Sequence, residues 1–252
     1  MSYQTLRLKR GKEESLDRFH PWVFSGALAE PLPDGLEEGD TVTVETSNGR
    51  LVGVGHFQIG SIAVRILDFA ATEINAEFFR SRLLQALRLR QALQLARPDN
   101  NAYRLVHGEG DFLPGLVVDI YGPTAVLQAH SPGMHFARQT IAEQLVALPE
   151  LGVRNVYYKS ETTLPYKAHL DARNDYLIGS METSVATENS LQFNIDWLRG
   201  QKTGFFLDQR DNRALLQHYS QGRRVLNMFC YTGGFSVYAL RGGASLVHSV
   251  DS

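Results

Sequence analysis

The chain has 252 residues, of which 43% are hydrophobic and 21% charged, and a net charge of −2. Such a composition suits a soluble globular protein with chain enough for two or three domains, and it excludes a disordered chain or one whose partners are set by net charge alone. No run approaches the ~20 apolar residues of a membrane span, and a single cysteine, Cys230, leaves no intramolecular disulfide, so a cytoplasmic location away from membranes is expected.

Residues 1–74 carry short strand patterns at Leu6-Arg7-Leu8, Thr41 to Val44, Leu51 to Gly55 and Ile62 to Leu67. Pro-Asp-Gly and Ser-Asn-Gly turns separate them, which predicts a small β-barrel. Arg7, Lys9, Arg10 and Lys12 crowd its start, and Arg80, Arg82, Arg88 and Arg90 recur further on. Both sets suit phosphate contacts, but such runs are more often solvated faces.

Residues 75–190 begin with a helix expected from Asn75 to about Leu95, with Asn75 as its N-cap and Phe79, Leu83 and Leu87 on one face. Pro98-Asp99-Asn100-Asn101 ends it. Strands follow near Gly115 to Ile120, Ala125 to Gln128 and Asn155 to Tyr158, with a helix near His135 to Leu148, which makes an α+β unit. Pro165 to Asp175 reads as a loop or crossover. Glu109 and Asp111 flank Gly110 and fit turn geometry better than an acid–base pair. His130 and His135 are spaced for neither one helix face nor a zinc knuckle, so no metal site is expected.

Residues 191–252 hold a strand at Val225 to Phe229, a turn at Thr232-Gly233-Gly234, a helix from Phe235 to Leu240 closed by Gly242-Gly243, and a strand at Ser245 to Val250. Asp251 then stands where such folds place the carboxylate that binds ribose hydroxyls. The adjacent glycines lack the G-x-G-x-x-G spacing of a dinucleotide site. S-adenosylmethionine, which has ribose but no phosphate, fits them better than NAD, and a ligand-free β-α-β turn fits the same local pattern. Two parallel strands alone leave an edge and helix faces uncovered. The domain is therefore expected to be truncated within these residues, with the open edge a route to a homodimer.

Lys202-Thr203-Gly204-Phe205-Phe206-Leu207-Asp208-Gln209-Arg210 and Phe229-Cys230-Tyr231-Thr232-Gly233-Gly234-Phe235 resemble two motifs of the RlmI-type S-adenosylmethionine-dependent ribosomal RNA methyltransferases. His20-Pro21-Trp22-Val23-Phe24-Ser25-Gly26 resembles the start of that family's PUA domain, and Arg104 to Leu116 resembles its central domain. The resemblance implies an α/β and α+β multidomain chain. Its parts would be an N-terminal PUA-like RNA-binding barrel, a central α+β domain and the start of a doubly wound, Rossmann-like class I methyltransferase domain. It implies S-adenosyl-L-methionine as cofactor and large-subunit ribosomal RNA as partner, modified at carbon-5 of cytosine. A non-catalytic RNA-binding protein is the alternative.

Gln209 and Arg210 are then expected at the methionine end of the cofactor, Tyr231, Thr232, Gly233 and Gly234 along it, Asp251 on its ribose, and Arg7, Lys9, Arg10 and Lys12 on RNA. Asp208 would cap a helix whose apolar positions are Leu215, Leu216 and Tyr219. Methylation at carbon-5 uses a thiolate and a general base. Cys230 reads as packing, and in the resembling family the nucleophilic cysteine and an Asp-Pro-Pro motif belong to later strands. No catalytic residue is therefore expected before Ser252, and the 252 residues alone should not transfer a methyl group.

Overall fold

A computed structural model describes residues 3–165 and 170–251. Residues 166–169, within the stretch expected to be a loop or crossover, lie outside the described residues. The chain starts with β1 (Gln4–Arg7), the four-residue helix α1 (Glu14–Asp17), β2 (Trp22–Phe24), β3 (Thr41–Glu45), β4 (Leu51–Phe57) and β5 (Ile62–Asp68). These strands form one mixed sheet in the order β1-β3-β4-β5-β2, with β1 and β3 parallel.

Beyond β2, Leu8 and Leu28 form an antiparallel bridge. Lys9 N–H donates to the carbonyl of Ala27 and Ala29 N–H to that of Arg7, both at 2.8 Å. The sheet thus closes on itself around Leu6, Leu8, Val23, Val42, Val44 and Val64. Closure requires tight coiling, and Gly55 provides it: a Cβ there would stand 2.1 Å from the carbonyl oxygen of Arg65.

Next comes α2 (Ala76–Ala92), whose N-cap Asn75 accepts a hydrogen bond from Phe78 N–H at 3.0 Å. Phe79, Leu83 and Leu87 are its buried face, as the spacing predicts. The central sheet contains β6 (Ala102–His107), β7 (Leu116–Tyr121), β8 (Thr124–Ala129), β9 (Asn155–Tyr158) and β10 (Asp175–Ile178), ordered β10-β9-β8-β7-β6 with only β8 and β9 parallel. The helix expected from His135 to Leu148 is two helices, α3 (Pro132–Phe136) and α4 (Arg138–Ala147). Ser131 caps α3 and Pro132 occupies its first position, so the helical stretch begins three residues before His135.

The pleat of the central sheet sorts its core in two. Leu105, Ile120, Ala125, Leu127 and Val156 join α2 and α4 on one face. Ala102, Tyr121, Val126 and Tyr157 face Phe193, Trp197, Phe205 and Tyr238 on the other. The last part of the chain is therefore a layer on the central sheet. It holds β11 (Val185–Glu188), β12 (Leu191–Asn194), α5 (Arg210–Tyr219), β13 (Arg224–Met228), α6 (Gly234–Arg241) and β14 (Leu246–Val250).

β11 and β12 form a hairpin whose turn residues Asn189 (φ 49°) and Ser190 (φ 63°) are both left-handed, the requirement of a type I′ turn. The boundary drawn at residues 190 and 191 passes through this turn, and the hairpin packs as one piece. Against expectation, Asp208 does not cap α5, which has no side-chain cap and follows a 3-10 turn over Leu207–Gln209. Leu215 and Tyr219 point to solvent, and Arg213 is the helix's buried residue.

Candidate functional site

β13 and β14 run parallel with Met228 opposite Val250, so their carboxyl ends share one rim, the rim at which open α/β sheets hold ligands. The loop leaving β13 passes through left-handed residues at Phe229, Tyr231 and Gly233. Cys230 N–H donates to the carbonyl of Val250 at 3.1 Å, and Gly233 N–H to that of Cys230 at 2.8 Å. These two bonds fix the loop beside the end of β14, next to Asp251. A Cβ on Gly233 would meet nothing within 4 Å, Thr232 and Asp251 are exposed, and α6 starts at Gly234 without a side-chain cap. Open backbone, free first-turn amides and a carboxylate on the next strand fit a ligand with a ribose and a polar tail.

Behind the loop, Asn227 Nδ2 donates to Ser236 Oγ at 2.8 Å, and Ser236 Oγ lies 2.6 Å from Ser249 Oγ, so one polar chain joins both strands to α6. Tyr231 turns away from the rim. Its hydroxyl accepts from Gln201 N–H at 3.0 Å and donates to the carbonyl of Gly204 at 3.3 Å, and its ring meets Phe206 edge-on. The two motifs are thereby bonded to each other. Cys230 is half-buried, its thiol directed at the Tyr231 carbonyl.

Gln209 and Arg210 are occupied with neighbours. Gln209 donates to Asp208 and accepts from Asn212, each at 3.0 Å. Arg210 pairs with Asp211 at 2.9 Å and lines a cleft of about 730 Å³ with Tyr103, Arg104 and Phe206. Residues 231–234 do not line that cleft. Thr203 of the first motif joins the central sheet, donating to Asp119 Oδ2 at 2.6 Å while its hydroxyl lies 2.9 Å from that of Tyr121. Asp119 also takes both arms of Arg104, at 2.8 and 3.0 Å. Burial, then the Asp119 charge, pushes the Tyr121 phenol well above its ordinary range.

Sequence reasoning missed Glu188 altogether. Arg213 Nε and Nη2 donate to the two oxygens of Glu188 at 2.8 and 2.6 Å, with both side chains buried. Its guanidinium stacks 4.5 Å from the Phe205 ring centroid, and its Cδ would lie 3.1 Å from a Cβ on Gly234. This arginine is thus packed under the start of α6.

Among the basic residues at the start of the barrel, Arg7 pairs loosely with Glu45 at 3.8 Å and Lys9 donates to the carbonyl of Gly26 at 3.2 Å. Arg10 and Lys12 are exposed. Asp111 takes both arms of Arg90 and accepts from His107 N–H, a structural role in keeping with the turn expected there.

Residues 104–252 match the family model described as S-adenosylmethionine-dependent methyltransferase. The chain belongs to that family. Residues 6–69 of this methyltransferase match a PUA-like domain. Among curated relatives it is 40% identical over 252 residues to the ribosomal RNA large subunit methyltransferase I of Photobacterium profundum, and 39% identical over 253 residues to that of Tolumonas auensis. In each case the alignment covers 98% of this chain and 62% of the relative, so the methyltransferase spans less than two thirds of their length.

A solved structure described as an S-adenosylmethionine-dependent methyltransferase from Streptococcus mutans superposes with a TM-score of 0.77 at 23% identity, covering 98% of this chain and 63% of that one. A second, a methyltransferase complexed with SAH, gives 0.76 at 22% identity over 100% of this chain and 63% of that one. These likenesses establish the fold, a PUA-like barrel followed by methyltransferase layers. Among the described residues no helix is long and apolar enough to cross a membrane, and no cluster of His, Cys, Asp and Glu could hold a metal.

Proposed function

We propose that the protein takes part in methylation of large-subunit ribosomal RNA, with carbon-5 of a cytosine as the acceptor, and that these residues supply RNA grip and cofactor contacts. The observation carrying this reading is the shared rim, where the Cys230–Val250 bond sets an uncapped helix start beside Asp251. S-adenosylmethionine supplies the methyl group when bound. Asp251 would accept its ribose hydroxyls, the backbone of Thr232 to Gly234 would follow its tail, and Gln209 and Arg210 would reach its methionine end on release from Asp208 and Asp211.

The names of the curated relatives favour ribosomal RNA as substrate. A base must leave its stack to meet the methyl group, and separate RNA-binding layers would hold the strand while it does. Cytoplasmic ribosome assembly is the matching setting, and a dimer would cover the exposed strands. The single thiol, Cys230, faces its own loop, so these 252 residues alone should give no methyl transfer to ribosomal RNA transcripts. A radiolabelled transfer assay showing turnover would overturn that. In the intact enzyme, Asp251→Ala should weaken cofactor binding on the order of 10-fold, as loss of a charge-assisted hydrogen-bond pair does. Unchanged affinity by calorimetry would remove the ribose assignment.

A further inference from the structure

On the outer face of the barrel, β2 sets His20, Trp22 and Phe24 on one side of the strand while Val23 enters the core. Their rings form a connected group. His20 and Trp22 have centroids 5.5 Å apart, Trp22 and Phe24 6.4 Å, and His20 and Phe24 6.5 Å in a stacked arrangement. Phe24 is 48% exposed and His20 is exposed as well. His20, which precedes the strand, and Phe24 are left to water and Trp22 is partly exposed, so these rings are not part of the barrel core.

The group runs into a cleft. Trp22 is the cross-strand partner of Arg65, and its indole donates to Glu109 Oε1 at 2.8 Å across the seam with the central domain. There, Arg65, His107, Glu109 and His130 line a cavity of about 400 Å³ whose wall includes Gly108, Gly110 and Gly115. Glu109 is the one carboxylate of that lining, and Trp22 already engages it. Arg104 adds a second guanidinium, 3.2 Å from His107 Nδ1. Burial, with Arg104 and Arg65 nearby, holds His130 below its ordinary value, while Glu109 pulls the other way. The charge of Arg104 is taken by Asp119, whereas Arg65 donates to the neutral Gln58 and, among the described residues, has no ion pair; bare backbone at the glycines leaves room beside it. At the opposite end of the rings, Lys9 lies against Gly26, two residues after Phe24.

We propose that this seam is a subsite for single-stranded RNA, in which the exposed rings of His20 and Phe24, held apart by the edge-on Trp22, stack bases and Arg65 at the adjoining cleft takes a phosphate. Aromatic faces beside an arginine without an ion pair match the alternation of base and phosphate along an unpaired strand. The subsite deepens the RNA reading given above and rests on it. It also moves the grip on RNA from the basic run at Arg7 to Lys12 alone to a ledge that spans two domains.

Trp197, the only other tryptophan, is fully buried, so quenching of tryptophan emission reads Trp22. Titration of the whole chain with a short unpaired oligoribonucleotide should give saturable quenching. Phe24→Ala should weaken binding on the order of 10-fold. Arg65→Gln should lower the slope of log affinity against log salt by about 0.7. Trp22→Phe should abolish the quench while retaining affinity by fluorescence anisotropy. Circular dichroism of each variant identifies any that fails to fold, and His20→Ala, at an exposed position, then replaces it. If the parent binds RNA and Phe24→Ala and Arg65→Gln bind equally well with an unchanged salt slope, the ledge is overturned and the RNA reading stands. If the parent binds no RNA, both fall.

Discussion

Replacing Glu188 with alanine is expected to reduce the unfolding free energy by about 3–5 kcal/mol, the range seen when one member of a buried ion pair is removed. The size follows from what is left behind. Arg213 would keep its charge in a site where it is almost wholly shielded from water, and among the described residues its other partners are the Phe206 carbonyl at 3.1 Å and the face of Phe205. Tyr238, whose hydroxyl donates to Glu188 Oε1 at 2.9 Å, would lose its acceptor as well. In the parent, burial and the Glu188 charge push that phenol up. Glu188→Gln keeps the shape and part of the bonding and should lose less. Chemical denaturation measures both, and a loss under about 1 kcal/mol for the alanine variant would show that the pair is not the tie between hairpin and helices described here.

Acid should weaken the fold through His56. This imidazole is buried in β4, and burial pulls its pKa from 6.5 to about 4. Its ring packs on the backbone of α3 so closely that a Cβ on Gly133 would stand 2.2 Å from it. The unfolded chain binds a proton near pH 6.5 and the folded chain does not until about pH 4, so the neutral ring's contribution is complete above 6.5 and is lost as pH falls between the two. The full loss amounts to about 3 kcal/mol. His135, also lowered to about 4 by burial and the Arg138 charge, acts in the same direction. Urea midpoints at pH 7.5 and 4.5 should therefore differ strongly in the parent and less in His56→Gln. Equal differences would exclude His56 as the source.

The parts of this fold that were legible are those whose evidence is local. Val225 to Asp251 carries apolar runs, paired glycines and an acid in order, and β13, α6 and β14 fall where that order puts them. Asn75 followed by a 3.6-residue rhythm marks α2 in the same way. β2 was hidden because three residues are too few to show alternation. The hairpin β11–β12 was hidden because Asn189-Ser190 is not a glycine turn.

The candidate site was less legible, because its supports come from far apart in the chain. Glu188 and Arg213 are 25 residues apart, and Asp119 and Thr203 are 84 apart. In α5 the apolar rhythm misleads. Arg213, Leu216, Gln217 and Ser220 turn inward at i, i+3, i+4 and i+7, while Leu215 and Tyr219 face water. A polar stripe at helical spacing beside a chemical motif was the available signal, and it points to a buried charge rather than to a ligand.

β13 and β14 contain no fully buried residue, whereas every residue of β8 and β9 is buried. Segments with little buried surface open at a small fraction of the global unfolding free energy. The loop carried by β13 is therefore tied to the rest of the molecule chiefly through α6, Arg213 and the Tyr231 hydroxyl rather than through its own sheet. Within these 252 residues, those side-chain links, more than the strands, determine how often the rim comes apart.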